Sequence, residues 1–281
     1  MSMAHTGLKN AKRSGKILSA AFSVLIVVLW SLPVLWMVFA SLDENANVFI
    51  RVPSHATLEN FQNVVADRTN QQAVFNSMVI SVGVAAMVTF TSTLAGYILS
   101  RYQNVFTRSY MMTILFMTTL PGTVLIVPIY KMYIILKLYD SMTGIILSMT
   151  ATSLPYSIWL MKTFVDNIPI ELEEAAAVDG AGHRVRLYRV VMPLILPGMC
   201  CVAIRAFSSA WGNFMTPYIL LSSNDKNPAA VTMYKYIDAY SISYGRLAAF
   251  SMLYSFPSVI LYALSQRFMS KGFALSGASK G

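Results

Sequence analysis

Long apolar stretches alternate with short polar ones along the whole chain. Those at about Ile17 to Ala40, Val74 to Leu99, Tyr110 to Tyr130, Met142 to Met161, Leu194 to Leu221 and Leu247 to Phe268 each approach or exceed the ~20 residues needed to cross a bilayer core as a helix. The pattern predicts six membrane-spanning helices and an all-α integral membrane protein. The first apolar run is too long for a signal-peptide core and no small-residue cleavage site follows it, so it reads as an uncleaved span. Prolines interrupt several stretches: Pro121-Gly122 and Pro128 in the third, Pro155 in the fourth, Pro217 in the fifth. Each frees backbone carbonyls that lipid cannot satisfy, so a kinked bundle or a water-filled cavity must.

Composition supports the same class. Of 281 residues, 56% are hydrophobic and 12% charged, about half the charged fraction of a soluble domain. The formal charge of +9 looks at first like a nucleic-acid footprint, but its distribution follows topology. Lys9, Lys12, Arg13, Lys16, Arg101, Arg108, Lys162, Arg184, Arg186, Arg189, Arg267, Lys271 and Lys280 fall on one side of the spans. Arg51, Arg68, Lys131, Lys137, Lys226, Lys235 and Arg246 fall on the other. The positive-inside rule makes the richer side cytoplasmic, with both termini there. The expected organisation is a cytoplasmic segment 1–16, a transmembrane domain 17–268 with a cytoplasmic loop 163–193, and a cytoplasmic tail 269–281. Cys200 and Cys201 are adjacent within an apolar run and say little about redox compartment.

One polar segment differs from its surroundings. Ile168 to Pro197 is acidic first, then small, then basic. Pro169 suits a helix start, and Glu171, Glu173 and Glu174 sit where the helix dipole favours carboxylates. Leu172, Ala175 and Ala176 share a narrow apolar face. Gly180 suits a left-handed cap. A second helical run is expected from about Arg184 to Val191, closed by Pro193. Three targets fit such a helix–turn–helix. The lipid surface suits the arginines but repels the glutamates. DNA is out of reach for a segment tethered between two spans. A cytoplasmic partner protein suits both, because small residues permit close approach and charges fix register.

Catalytic chemistry is not visible. No phosphate-binding G-x-x-x-x-G-K-[ST] loop occurs, and His5, His55 and His183 are isolated. The apolar cores hold no carboxylate, with Asp140 and Asp166 at or beyond span ends, which disfavours an ion-coupled carrier. Arg205 is the one deep charge. It lines a translocation path or hydrogen-bonds to helix carbonyls or a partner subunit. Asn213, in Trp211-Gly212-Asn213-Phe214, and Pro121 are the other path candidates.

Glu174-Ala175-Ala176, three residues, Gly180, nine residues, then Val190-x-Met192-Pro193 resembles the EAA signature of permeases of binding-protein-dependent ABC importers. Val190 and Met192 replace the usual isoleucine and leucine. Asn76-Ser77, Ala95-Gly96-Tyr97 leading to Arg101-Tyr102, Trp211-x-Asn213-Phe214 and the tail from Gly272 to Gly281 are similar to the carbohydrate importers, and to the maltose-type permease in particular. The resemblance implies a type I importer permease fold and a sugar or oligosaccharide substrate in a bacterial or archaeal cytoplasmic membrane. It implies a second homologous permease, two ATPase subunits that bind ATP and Mg, and an extracytoplasmic solute-binding protein; this chain itself binds no cofactor or metal and is not an enzyme. Glu171, Glu174, Ala175, Ala176, Asp179, Gly180 and Pro193 become the ATPase-coupling residues, and Gly277, Ala278, Ser279, Lys280 and Gly281 an ATPase-contacting tail. Arg205 departs from the maltose-type pattern, where the position is apolar. An ion-coupled carrier and a non-transport scaffold subunit are the alternatives.

Overall fold

In the computed structural model, residues 2–119, 122–237 and 242–277 are described. Among them the chain is helical, with no strand beyond a single β-bridge between Ile237 and Ile242. The helices in order are α1 (Ser2–Ser41), α2 (Glu59–Ala66), α3 (Arg68–Arg101), α4 (Val105–Met117), α5 (Ile126–Ile135), α6 (Met142–Asp166), α7 (Glu171–Val178), α8 (His183–Val185), α9 (Met192–Trp211), α10 (Met215–Leu220), α11 (Ala229–Thr232) and α12 (Tyr244–Gly277).

Five stretches are long and apolar enough to cross a membrane: Ser19–Ser41, Arg68–Arg101, Met142–Asp166, His183–Trp211 and Tyr244–Leu264. They match the expected first, second, fourth, fifth and sixth spans. The expected third span is divided between two shorter apolar helices, α4 and α5, with a 3-10 turn at Gly122–Leu125 between them. The end of α4 tightens, as Thr118 and Thr119 donate both backbone and hydroxyl bonds back to Leu115 and Phe116. Pro121 itself lies outside the described residues. Pro128 falls in the first turn of α5, where its missing N–H costs nothing.

The fifth span also differs from expectation. Pro193 does not close a helix. His183–Trp211 is continuous, with a π-helical stretch at Arg186–Val191 just ahead of the proline. The wider π turn gives room for a proline ring that would crowd the carbonyl four residues earlier in a regular helix. The span then stops at Trp211 rather than Leu221, and α10 restarts after Gly212. The tail, expected from 269 onward, is helical in its backbone as far as Gly277; Ala278, Ser279, Lys280 and Gly281 lie outside the described residues.

The chain divides into two compact units: residues 1–66 with 236–253, and residues 67–235 with 254–281. In the first, the Asn60 carboxamide donates to the carbonyls of Ser41 and Asp43 at 3.3 and 3.0 Å. The Trp36 ring meets Tyr244 edge-on.

The second unit holds the main core. Ile80, Val84 and Val88 of α3 meet Ile145, Met149, Met161 and Val165 of α6 and Ile195, Val202 and Ala206 of α9. The α3–α6 approach is close enough to require glycine. A Cβ on Gly96 would lie 2.9 Å from the Lys162 nitrogen and 3.0 Å from the Met161 Cβ. Asp67 caps α3 by accepting from the Thr69 N–H at 2.8 Å and also pairs with Lys235 at 2.7 Å. That lysine holds the Asp67 carboxyl below its ordinary range. Asn104 and Thr107 form a capping box that starts α4.

Candidate functional site

The segment singled out by sequence is built around α7. Its C-terminus forms a Schellman cap. Ala181 N–H donates to the Ala176 carbonyl at 2.9 Å and Gly180 N–H to that of Ala177 at 3.0 Å, with Gly180 at φ +87°. A side chain with a Cβ is strained there whatever the space around it.

One side of α7 is anchored. Glu173 is 3% exposed. Its carboxylate accepts from the Tyr97 hydroxyl at 2.6 Å and from Arg101 Nε at 2.6 Å. Arg101 also donates through Nη2 to the Ile168 carbonyl at 3.1 Å and through Nη1 to Ser100 Oγ at 3.2 Å. Ser100 in turn donates to Asp166 at 2.6 Å, and Lys162 pairs with the other oxygen of that carboxylate. Tyr97 and Arg101 are four residues apart, so both reach from one face of the last α3 turn. A charge-assisted network thus ties α7 to the ends of α3 and α6, and each short bond is of the strong kind.

The rest of α7 is free. Ile170, Leu172, Glu171, Glu174, Ala175, Val178, Asp179 and Gly180 are exposed and Ala176 is half-buried. The apolar face expected from Leu172, Ala175 and Ala176 is therefore not the buried one; Glu173 carries that contact. The structure brings Glu171 to Gly180 together on one short element. Pro193 stands apart, exposed on the first turn of α9. On sequence grounds Tyr97 and Arg101 carry no role, and nothing distinguishes Glu173 from the neighbouring acids. The usable signal was an i, i+4 Tyr–Arg pair at a span end, followed by a short helix with three acids.

The path candidates separate. Pro121 lies outside the described residues. Asn213 is half-buried and its carboxamide oxygen accepts from the Thr216 N–H at 3.0 Å, which supports the turn into α10. Trp211 is buried, stacked between Phe207 and Tyr254. Arg205 is exposed on α9, with its guanidinium carbon 4.2 Å from the centroid of the Tyr156 ring.

At the far end of the second unit, Asn76 donates to the carbonyls of Asp225 and Asn227 at 2.8 and 3.2 Å, and Ser77 accepts from the Ala229 N–H at 2.8 Å. Nearby, Asp140 accepts from the Ser222 and Ser223 N–H groups and pairs with Lys226 at 2.8 Å. The bonds from Lys226 and Ser223 hold its carboxyl well below the usual carboxylate range.

Comparison with known proteins gives a consistent picture. Residues 90–273 match the family model described as binding-protein-dependent transport system inner membrane component. A putative ABC transporter permease protein of Streptomyces antibioticus is 32% identical over 229 residues, covering 82% of this chain and 100% of that protein. A diacetylchitobiose uptake system permease protein of Streptomyces coelicolor is 28% identical, over 88% of this chain and 85% of that one. Among solved structures, a chain of a bacterial ABC transporter involved in the import of the acidic polysaccharide alginate superposes with a TM-score of 0.81 at 19% identity. That match covers 92% of this chain and 97% of that one.

Proposed function

The chain belongs to the family of binding-protein-dependent transport system inner membrane components, and we propose that within it this protein is a sugar or oligosaccharide permease driven by separate ATPase subunits. Relatives of comparable length are permeases, one of them for diacetylchitobiose uptake. In this reading, the side bearing α7 faces the cytoplasm, as do both termini. A second homologous permease completes the transmembrane pathway, two ATPases bind ATP and Mg, and an extracytoplasmic binding protein delivers the sugar. The tail Gly277 to Gly281 is, in the same reading, the ATPase-contacting segment.

The observation that carries the reading is the two-sided character of α7. One side is fixed to α3 and α6 through Glu173, Arg101 and Tyr97. The other presents Leu172, Val178, Glu171 and Glu174 to the outside. Apolar residues rimmed by charges on an exposed helix face suit a cleft of complementary shape. A push on that helix passes to the spans through this network of short charge-assisted bonds, which is what alternating access driven from outside the membrane requires. Glu174→Lys and Gly180→Asp test it. Both variants are expected to insert in the membrane, to lose the co-purifying ATPase and to abolish coupled uptake. Uptake at the unaltered rate in both variants refutes the docking role. Uptake driven by a proton gradient in the absence of ATP would favour a secondary carrier instead.

A further inference from the structure

The face of the second unit that carries Arg205 fits neither lipid nor the packed core. Arg205 sits about 9 Å short of the helix end at Trp211, and Tyr156 about 15 Å from the end of α6 at Asp166, at 1.5 Å per residue. Both therefore lie within spans. Arg205 is exposed, and no described carboxylate pairs with it; the four ion pairs among described residues involve other groups. Its partner is the π face of Tyr156 at 4.2 Å. An unpaired guanidinium facing hydrocarbon is strongly disfavoured, so this face borders water, a partner chain or a solute.

The surroundings choose among these. Tyr156 and Trp159 lie 5.6 Å apart with their planes tilted by 46°, and both rings are more than a third exposed. Thr152 shares their helix face four residues before Tyr156, and Ser208 and Ser209 share the Arg205 face of α9; all three are exposed. The patch thus combines an aromatic shelf, hydroxyls and one fixed cation, with no acid. An aromatic shelf suits the C–H faces of a sugar ring. The cation–π contact occupies one face of the guanidinium and leaves its in-plane N–H fork available, in the geometry that binds a planar anion bidentately. The guanidinium can also donate to neutral hydroxyls, but a planar carboxylate or sulfonate gains the charge as well as the bidentate fork, which lysine would not supply.

Resting on the permease reading above, we infer that Arg205, Tyr156 and Trp159 form a transient subsite of the translocation path for an acidic saccharide. The carboxylate or sulfonate meets Arg205 and the ring lies on the two aromatics.

The test uses the complete importer in proteoliposomes with its binding protein, and matched probes: digalacturonate against galactobiose, and cellobiouronate against cellobiose. The unaltered importer is expected to take up an acidic member. Arg205→Met should lower the acidic-to-neutral uptake ratio at least tenfold, with Arg205→Lys intermediate, and Trp159→Leu should depress uptake of the acidic probe. Import of the neutral members only overturns the proposal. So does an unchanged ratio in Arg205→Met. A fall in co-purified partner permease in Arg205→Met, with the ratio unchanged among the complexes that assemble, assigns Arg205 to a subunit contact and overturns it too. Failure of the unaltered importer on every saccharide tried, acidic or neutral, strikes instead at the sugar-permease reading, and the subsite falls with it.

Discussion

The two ends of α3 are fastened in different ways. At one end Tyr97 and Arg101 hold the buried carboxylate of Glu173. At the other, Asn76 and Ser77 hold the backbone of residues 225–229 with neutral bonds. The neutral fastening fixes where a connection lies and tolerates small adjustments. The charged one is costly to open, because a separated pair leaves a desolvated carboxylate behind. A chain that only needed to position α7 could use the neutral kind. The use of a buried ion pair fits an element that must carry load without slipping.

Mutations at the two ends should separate these roles. Arg101→Met leaves Glu173 buried and unpaired, and a loss of about 3–5 kcal/mol is expected. Thermal unfolding in detergent reads it, together with coupled uptake, which should fall even where folded protein is recovered. Adding Glu173→Gln to that variant should restore part of the stability without restoring uptake. Next, Tyr97→Phe removes one bond to a charged acceptor and should cost about 1.5–3 kcal/mol, with ATP hydrolysis retained but less well coupled to uptake. At the opposite end, Ser77→Ala should cost about 1–2 kcal/mol by stranding the Ala229 N–H, and it should leave coupling intact. An equal loss of coupling in Ser77→Ala and Tyr97→Phe would erase the distinction.

The smallest effect is electrostatic. The Asp140 carboxyl is depressed in the folded protein, so its contribution is present above its unfolded value near 3.9 and is lost as pH falls through the lower folded value. The attachment of Ser222 and Ser223 should therefore be unchanged from pH 8 to pH 5 and loosen only below about pH 4. Amide exchange at those residues, corrected for intrinsic rates, measures it. Loosening near neutral pH would contradict the pairing with Lys226.

Much of the fold was legible because lipid imposes a strong pattern. Apolar length alone located the first, second, fourth and sixth spans. Prolines were harder to read. Pro193 looks like a stop in sequence, yet a π turn upstream accommodates it, and that rearrangement is paid for by core contacts of Leu187 and Val191 that no local rule reveals. At the site, Gly180 was readable because its left-handed conformation is a local demand. Glu173 was not, since its partners lie on α3, more than seventy positions earlier in the chain. Three neighbouring acids look alike until the tertiary fold buries one of them.

If the Glu173 network carries load, α7 and the end of α3 move as one body. Spin labels at Ala177→Cys, exposed on α7 but outside the coupling residues, and Tyr102→Cys, with Cys200 and Cys201 replaced, report the distance between them in the assembled importer. A narrow distance distribution that is the same with and without ATP, and that broadens when Glu173→Gln is introduced, is the predicted result. A distance that changes on ATP binding while Glu173 is intact would contradict it.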